Sequence, residues 1–590
     1  MRAADAMCRH MQPRGPDAQH VQGFDSGRVV LGHRRLAILD LDSRADQPMV
    51  SSDGQLAIVF NGEIYNFRTL RKELELDGVQ FKTQSDTEVI LQLYARNGPA
   101  LVHRLRGMFA LAIWDRLANS MFLARDPYGI KPLYYADIEN GFAFASQVKA
   151  LLASGLVNRG QDQAGLAGFY LWGHVPEPFT LYSAIKALPA GHWLEVHGGK
   201  AGTPQCWHSI AQHWQSPAPK VTAEETEDRV RRAVASSVSA HLVSDVPVGI
   251  FLSGGIDSSA VAGHAASFGH KLQAITLGFA EFAGHNNDEV PLARDAAQQY
   301  GFSHTVRQIS KREFTADLPA ILDAMDQPSV DGINSWFASK AAAEQGLKVV
   351  LSGVGGDELF CGYQSFRQIP KLAGLGRMAE RVPGLRPALR PLLAALGHYA
   401  GKPKLAALLD FWIHEEGLYQ LRRGLFLPHE LPDLMGLEEA RFGLEELAHS
   451  SQNSKVLKAR DGAAKVGLLE STRYLRNQLL RDSDWASMAH SLELRAPLVD
   501  AHLLKALGPL TSAFTHGRGK QMLACSPPTQ VPSSIITRRK TGFSVPMMGW
   551  IAEAAGERLW TKSPLLQHPN TPWARRWAFA LQQQDQWRTA

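Results

Sequence analysis

The segment Leu252–Ser259 reads LSGGIDSS and directly follows the apolar run VPVGIF. Glycines allow a ligand to approach the backbone closely, and the N–H groups that open a following helix attract anions. The serine hydroxyls add further donors, and Asp257 could hold a divalent cation against the anion. SGG alone would indicate only a turn, and the GK[ST] ending of a Walker A loop is absent. The full pattern therefore predicts a different kind of phosphate-binding loop.

A second segment, VVLSGVGGDELF, has the same organisation, because Asp357 follows glycines at the end of another apolar strand. The carboxyl ends of neighbouring parallel strands meet at one edge of a sheet. We therefore expect Asp257 and Asp357 to lie together and to share a magnesium ion. Further on, in RRKTGF, we interpret Arg538 and Arg539 as solvated surface residues.

The elements around these loops predict two regions with different folds. Short β-type runs separated by turn residues fill the first two hundred residues and indicate antiparallel sheets. Strands then alternate with helices, which indicates a parallel α/β sheet. Residues 207–225 are polar and contain proline, as is typical of a linker. Leu-rich patterns over about 369–450 predict a packed helical insert.

Composition indicates a globular, multidomain protein without membrane or nucleic-acid partners. The chain has 590 residues and a formal net charge of +5 from scattered basic and acidic residues. The four cysteines, Cys8, Cys206, Cys361 and Cys525, form no metal-binding or disulfide spacing. Apolar runs are too short to span a bilayer, and the first residues lack a signal core. We expect a cytoplasmic location.

The two loops, together with LLRDSDWASMAHSLELRAPLVD, resemble the synthetase domain of glutamine-dependent asparagine synthetases. The amino-terminal half resembles the glutaminase domain of the same family through RGPDA, LGHRRLAILD, QPM, NGEIYNF, SDTEVIL, LRGMFALAIWD and LARDPYGIKPLYY, in that order. This resemblance implies an α+β and then an α/β architecture. An αββα glutaminase sandwich of the N-terminal-nucleophile type, lacking its first strand, would occupy residues 1–206. After the linker, a parallel-sheet ATP pyrophosphatase domain of the adenine-nucleotide α-hydrolase type would occupy residues 226–590.

The resemblance also implies roles for individual residues of the glutaminase half. Arg35 would bind the α-carboxylate of glutamine, and Asp86 its α-ammonium group. Asn61 and Gly62 would form an oxyanion hole. Glu63 belongs to the same glutamine-binding set.

In the synthetase half, Lys540 would stabilise the charge of the departing phosphates. Asp257 and Asp357 would hold Mg²⁺, and ATP is the implied nucleotide. The backbones near Leu252 and Leu277 would hold adenine. The complete implied ATP-binding set is Leu252, Ser253, Gly254, Gly255, Asp257, Ser258, Ser259, Leu277, Ser352 and Gly353.

The sequence departs from this family at the nucleophile. Family members begin Met-Cys-Gly, whereas no cysteine follows Met1 here. Cys8 precedes RGPD within a predicted helix, so we interpret it as a packing cysteine. Either the true start lies upstream, or the chain uses free ammonia; the intact glutamine pocket favours the first explanation.

A second departure concerns the acceptor. Val354 stands where asparagine synthetases have a glutamate, while Pro13 and Cys361 replace the usual His and Gly. The predicted activity is ATP-dependent amidation of aspartate, with ammonia from glutamine or from solution. Amidation of another carboxylate, such as a sugar acid of a surface polysaccharide, is one alternative. A catalytically silent scaffold or sensor is another. The family resemblance also implies a homodimer.

Overall fold

The computed structural model describes residues 1–285, 287–399, 403–453, 459–538, 546, 549–550, 563–568 and 571–584. No helix within those residues is long and apolar enough to cross a membrane. The chain forms an antiparallel β-rich region first and a parallel-sheet region second.

The amino-terminal region consists of short strands and few helices. Its strands are β1 (Ala18–Phe24), β2 (Val29–Arg35), β3 (Met49–Val50), β4 (Leu56–Ile64), β5 (Gly107–Asp115), β6 (Ser120–Arg125), β7 (Tyr134–Ile138), β8 (Gly141–Ala145), β9 (Lys186–Ala187), β10 (His192–His197), β11 (Lys200–Ala201) and β12 (Gln205–Cys206). Its helices are α1 (Arg2–His10), α2 (Phe67–Leu76), α3 (Asp86–Asn97), α4 (Val148–Ala153) and α5 (Gln163–Trp172).

These strands form one large sheet and two smaller ones. The large sheet has the order β11-β10-β6-β5-β4-β3, with β12 beside β10, and the smaller sheets are β1-β2 and β8-β7-β9. Ile58 and Phe109 pack on one face, under α2 and α3, while Val59 and Ala110 pack on the other face with Leu31 of β2. Because both faces are covered, β4 is apolar from Leu56 to Phe60 and β5 from Met108 to Trp114. Helices α1 and α4 then cover β2 and β8 on the outside.

The second region contains the predicted parallel sheet. Its strands are β13 (Val248–Phe251), β14 (Gln273–Phe279), β15 (Ser303–Ile309), β16 (Val349–Leu351) and β17 (Glu493–Arg495). They have the order β15-β14-β13-β16-β17, and every neighbouring pair is parallel. The carboxyl ends of β13 and β16 are therefore adjacent, which places the two predicted loops side by side.

Helices surround this sheet. They are α6 (Ala211–Gln215), α7 (Ala223–His241), α8 (Ile256–Ser267), α9 (Val290–Tyr300), α10 (Lys311–Ala324), α11 (Ile333–Glu344), α12 (Gly356–Leu359), α13 (Ser365–Ala379), α14 (Leu385–Tyr399), α15 (Pro403–Ala406), α16 (Leu408–Phe411), α17 (Glu415–Arg423), α18 (Pro432–Met435), α19 (Leu437–Asn453), α20 (Gly462–Leu469), α21 (Arg481–Met488), α22 (Ala501–Leu507), α23 (Arg518–Ala524), α24 (Ser533–Thr537), α25 (Pro564–Gln567) and α26 (Trp573–Gln582). A π-helix over Glu470–Leu480 joins α20 to α21.

The segment predicted as a linker is more ordered than its composition indicates. Helix α6 lies within it, and Trp214 of that helix is fully buried in the core of the parallel-sheet region. A β-carbon on Gly467 would lie only 2.5 Å from the Trp214 ring, so the ring occupies the space that glycine leaves. A capping box of Thr222 and Glu225 then begins α7. The segment is therefore ordered and partly buried, and its assignment as a linker between the two regions stays a prediction.

The predicted insert is helical, since α13 to α19 occupy it. The prediction that it is packed holds only in part. Helix α13 buries Phe366, Ile369 and Ala373, whereas most side chains of α14 are exposed.

Candidate active sites

The loop after β13 is held in shape by its own serines. The N–H of Ser253 donates to Ser258 Oγ at 3.2 Å, and the N–H of Gly255 donates to Ser253 Oγ at 3.2 Å. The Ser253 and Ser258 hydroxyl oxygens are 2.9 Å apart. Helix α8 begins at Ile256, and no described side chain caps its first N–H groups. The positive end of this helix is thus open to an anion.

The loop after β16 lies directly against the first loop. A β-carbon on Gly353 would lie 2.6 Å from Ser258 N, and one on Gly356 would lie 2.5 Å from Asp257 Cγ. Glycine at these positions is what allows the two loops to touch. Gly355, between them, has a φ of +95°, which favours glycine as well. The two loops that the sequence singles out therefore form one structural unit.

Lys520 of α23 joins the two acidic residues of these loops. Its ammonium group forms ion pairs with Asp257 Oδ1 and, at 2.7 Å, with Asp357 Oδ1. Burial alone would lower the pKa of Lys520, but the two carboxylates outweigh it and hold the pKa above its ordinary value. Sequence reasoning missed this residue, because a single lysine in HGRGKQM gives no sign of its distant partners.

This arrangement fits the divalent cation that the sequence predicts. Two carboxylates that converge on one cationic group create a place where positive charge is favoured. The described residues contain no cluster of three or more metal-ligating side chains. Magnesium is commonly bound by one or two carboxylates, with phosphate oxygens and water completing its ligands. Asp257 and Asp357 are therefore suitable ligands for magnesium that arrives with a nucleotide.

Arg538 lies against the first loop and is not a solvated surface residue. A β-carbon on Gly254 would lie 2.6 Å from Arg538 Nη1, and Arg538 is 3.8 Å from Glu289 Oε1. Glu289 also accepts the N–H of Gly254. The sequence-based interpretation of Arg538 is therefore wrong. Arg539 and Lys540 lie outside the described residues.

The remaining predicted ATP-binding positions are mostly buried. Leu252 follows β13 directly, Leu277 lies within β14, and both side chains are buried. The N–H of Leu252 donates to Ile275 O at 3.0 Å. Ser259 is fully buried in the first turns of α8. The N–H of Ser352 donates to Arg495 O at 2.8 Å, which fixes the second loop to β17.

The second loop carries an apolar residue next to a buried acid. Val354 is half-buried and packs against the apolar core of the parallel-sheet region. Glu358, which the sequence did not single out, accepts a hydrogen bond from Tyr363 Oη at 2.8 Å. Burial and the nearby Asp357 raise the pKa of Glu358 to about 7.

The predicted glutamine-binding residues meet at a separate cavity of about 730 Å³ in the amino-terminal region. All five of them line it: Arg35, Asn61, Gly62, Glu63 and Asp86. The backbone at Gly62 has a φ of +148°, and a β-carbon there would lie 2.0 Å from Met108 O. Only glycine fits between β4 and β5 at this point.

Within this cavity, Arg35 is already engaged by the protein. Its Nη1 donates to Asp46 Oδ1 at 2.6 Å and to Asp42 O at 2.9 Å, and its Nη2 donates to Leu39 O and Asp40 O. The guanidinium thus stabilises the conformation of the loop after β2 through these hydrogen bonds. Binding of a carboxylate by the same group would replace some of these contacts.

Asp86 is an acid of the cavity with a raised pKa. It begins α3, and its Oδ2 accepts the N–H of Ile64 at 2.9 Å. Burial raises the pKa of Asp86 to about 7, against hydrogen bonds that lower it.

Cys8 has the surroundings of a packing residue. It is buried on α1, and a β-carbon on Gly32 of β2 would lie 2.7 Å from its Sγ. Burial raises the pKa of the Cys8 thiol to about 11, so the reactive thiolate is scarce at neutral pH.

The same cavity separates two sheet edges. Strand β2 pairs only with β1, and β8 pairs only with β7, within the described part of the chain. Residues of both strands line the cavity.

Buried charges connect the two sites. Arg495 of β17 is fully buried, donates to Glu493 Oε1 at 2.8 Å and lies 3.2 Å from Glu63 Oε1. Lys131 donates to Glu493 Oε2 at 3.4 Å. Because the carbonyl oxygen of Arg495 also accepts the N–H of Ser352, one residue contacts both Glu63 of β4 and the loop after β16.

Comparisons with known proteins agree with this division into two regions. Residues 1–207 match the glutamine amidotransferase domain family, and residues 229–574 match the asparagine synthase family. Asparagine synthetase [glutamine-hydrolyzing] 1 of Bacillus subtilis is 32% identical over 573 residues, which cover 95% of this chain and 85% of that protein. A putative asparagine synthetase [glutamine-hydrolyzing] of Mycobacterium tuberculosis is 32% identical over 579 residues, covering 94% and 86%.

A protein with another name also matches part of the chain. Amidase chry2 of Gibberella zeae is 31% identical over 382 residues, which cover 60% of this chain and 54% of that protein.

The fold and sites define a ligase that joins a glutamine amidotransferase region to an ATP-using synthetase region. The chain belongs to the asparagine synthase family.

Proposed function

We propose that the chain adenylates a carboxylate with ATP and converts the product to an amide. An oxygen of the acceptor carboxylate attacks the α-phosphorus, and the bond to pyrophosphate breaks. Ammonia then attacks the acyl carbon and loses a proton, and AMP leaves. Aspartate is the default acceptor, which gives asparagine. The observation that carries this proposal is the convergence of Asp257 and Asp357, from two strand ends, on one ammonium group.

The pyrophosphate end of ATP would lie on the first loop. Its N–H groups and hydroxyls come from Ser253, Gly254, Gly255, Ser258 and Ser259. The guanidinium of Arg538, held by Glu289 beside Gly254, is a further donor for the departing charge. Asp257 and Asp357 would hold Mg²⁺, which neutralises phosphate charge when bound. Lys540 is proposed for the same task on the resemblance alone.

The test is ATP–pyrophosphate exchange with Asp257→Ala. Removing one of the two carboxylates proposed to bind the metal should lower the exchange rate by about a hundredfold or more, while the protein stays folded. Asp295→Ala, an exposed acid on α9, is the matched control and should keep full exchange. Normal exchange in Asp257→Ala would show that the metal role is wrong. No exchange in the unmodified chain with any acceptor would favour a silent scaffold.

A different acceptor is the second candidate, and Val354 is the observation that favours it. A valine packed into the core cannot contact an ammonium group or relay a proton, as a carboxylate at this position would. Aspartate, ATP and ammonium are incubated with the chain, and asparagine is measured. Asparagine formation identifies aspartate as the acceptor. Pyrophosphate release that requires another acid, such as a sugar acid, would identify the alternative.

We also propose that the amino-terminal cavity binds glutamine. Arg35 and Asp86 would take the α-carboxylate and the α-ammonium group, with Glu63 beside them. Asn61 and Gly62 would supply oxyanion donors. Ammonia released there, or taken from solution, would reach the acyl-adenylate through the interior of the protein.

A further inference from the structure

The exposed apolar side chains of the protein are concentrated on two consecutive helices. Seven of the sixteen exposed large hydrophobic residues among those described lie within 28 residues of α13, α14 and the turn between them. We call these seven the insert face: Leu372, Leu375, Met378, Val382, Leu392, Leu396 and Tyr399. Single exposed apolar residues are ordinary, but a group of this kind marks a binding surface.

The spacing of these residues places them on one side of each helix. Leu372, Leu375 and Met378 follow one another at intervals of three residues on α13, and Leu392, Leu396 and Tyr399 follow at four and three on α14. Intervals of three and four residues select one face of an α-helix. Each helix therefore presents an apolar stripe to the outside.

The same segment is strongly basic. Residues 365–399 contain six basic side chains and a single acid, Glu380, which gives a formal charge of +5, equal to that of the whole chain. Arg377, Arg386 and Arg390 pair with acids of the neighbouring helices. Arg367, Lys371 and Arg381 are exposed and have no ion pair within the described residues.

We propose that the insert face docks on an anionic membrane surface, with its apolar stripe among the lipid chains and its basic residues at the headgroups. A helix with an apolar face and Lys or Arg beside it is typical of segments that lie in the membrane interface. The two helices would then lie in the plane of the membrane surface. This differs from the sequence-based expectation of no membrane partner, and it is independent of the reaction proposed above.

The positive charge of the insert favours an anionic membrane, rather than a second copy of the chain, as the partner of the insert face. An isologous dimer places the same patch on both subunits, so the exposed Arg367, Lys371 and Arg381 of two copies would face each other. Like charges brought together across an interface oppose association. Anionic headgroups remove this conflict, because each basic residue then meets opposite charge.

The experiment is flotation of the full chain with phosphatidylglycerol–phosphatidylcholine vesicles and with pure phosphatidylcholine vesicles. We expect binding to the anionic vesicles alone. Raising the salt from about 0.1 M to about 1 M should weaken binding, since the screening length falls from roughly 10 Å to 3 Å. Absence of binding to anionic vesicles at low salt would overturn the proposal.

Substitutions locate the surface. Leu375→Glu with Met378→Glu should weaken binding on the order of tenfold or more, because charge then enters the apolar stripe. Leu76→Glu with Leu117→Glu, leucines of the amino-terminal region that are more exposed than Leu375 and Met378, should bind as the unmodified chain does. Lys371→Gln with Arg381→Gln should weaken binding to anionic vesicles, whereas Lys72→Gln with Lys200→Gln should leave it unchanged.

The thermal unfolding midpoint of each variant is compared with that of the unmodified chain, because these exposed positions should not affect the fold. Equal vesicle binding by the Leu375/Met378 variant and its control would overturn the proposal. Dimerisation without lipid that the Leu375/Met378 variant abolishes would also overturn it, since a second copy would then cover the face.

Discussion

At the scale of single residues, opposite charges are paired where the proposed ligands would bind. The ammonium of Lys520 lies between Asp257 and Asp357, and Glu289 holds the guanidinium of Arg538 beside Gly254. Buried charges are expensive unless they are paired. The proposed nucleotide site is thus held together by ion pairs, which a nucleotide and its metal would partly replace.

Lys520 provides the most direct test of this view. In Lys520→Met the two carboxylates lose their shared partner, and we expect the free energy of unfolding to fall by roughly 1.5–3 kcal/mol in the absence of divalent cations. Added Mg²⁺ should then stabilise the variant more than the unmodified protein, because it replaces the lost positive charge. Urea unfolding with chelator and with Mg²⁺ measures both effects.

Lys505→Met, an exposed lysine on α22, is the control and should change neither quantity. An identical response to Mg²⁺ in Lys520→Met and in the control would contradict the idea that the two carboxylates form a cation site.

Asp86 predicts how glutamine binding depends on pH. Only the ionised carboxylate accepts an α-ammonium group, and the pKa of Asp86 in the free protein is about 7. Glutamine affinity should therefore rise about tenfold between pH 6 and pH 8, as this group loses its proton. Below pH 7 binding should release a proton, which calorimetry in buffers of different ionisation enthalpy detects.

The same group has an opposite effect on stability. Because the folded-state pKa of Asp86 is raised above its ordinary value of 3.8, ionising it favours unfolding, and its cost appears as the pH rises from about 4 through 7. Asp86→Asn should remove both the pH dependence of glutamine binding and this loss of stability. A pH-independent affinity in the unmodified chain would contradict the assignment of Asp86 to the ammonium group.

At the scale of elements, the sequence predicts best what depends on local pattern. Apolar runs followed by glycine and aspartate identified β13 and β16 with their loops, and the parallel order of the strands placed Asp257 and Asp357 together. Lys520 and Arg538 could not be found in this way. Lys520 is 263 residues from Asp257 in sequence, and only the packing of α23 against α8 joins them.

Composition was a poorer guide than pattern. The segment over 207–225 is polar, yet it contains Trp214, whose burial decides its structure. A single large aromatic side chain can contribute several kcal/mol when it fills a cavity, and polar neighbours do not oppose this. In the same way, the Leu-rich pattern of α14 predicted packing, whereas its stripe faces outward.

The burial of Trp214 therefore predicts how a substitution in α6 changes stability. Trp214→Ala should lower the free energy of unfolding by about 3–5 kcal/mol, because it leaves a cavity against Gly467. Gln215→Ala, the exposed neighbour on α6, should change it by no more than about 0.5 kcal/mol. Urea denaturation followed by fluorescence and by circular dichroism measures both. A small effect of Trp214→Ala would show that burial of this ring does not hold the segment against the parallel-sheet region.

At the scale of the whole molecule, the two regions are joined by buried charge. Arg14 pairs with Asp484 at 2.7 Å across the interface, and Arg495 stands between Glu63 and Glu493. Such pairs fix one relative position of their partners, because any displacement leaves a buried charge uncompensated. The amino-terminal cavity and the loops after β13 and β16 are thereby held at a constant separation, which the proposed transfer of ammonia inside the protein would require.

The surroundings of Cys8 predict which nitrogen source the protein can use. Cys8 is the one cysteine that lines the amino-terminal cavity in the described part of the chain, and its thiol has a pKa of about 11. A nucleophile for glutamine hydrolysis needs a thiolate close to an activating base. We therefore expect the chain of 590 residues to form amide with ammonium salts but not with glutamine.

The variant Cys8→Ser distinguishes a packing role of this thiol from a role as the nucleophile of glutamine hydrolysis. Because Cys8 packs against Gly32, the variant should lose some stability while ammonium-dependent amide formation stays unchanged. Amide and glutamate are measured with each nitrogen source in both proteins. Glutamine-dependent turnover that Cys8→Ser abolishes would make Cys8 the nucleophile, and α1 would then have to move, since its present packing keeps the sulfur buried between the helix and β2.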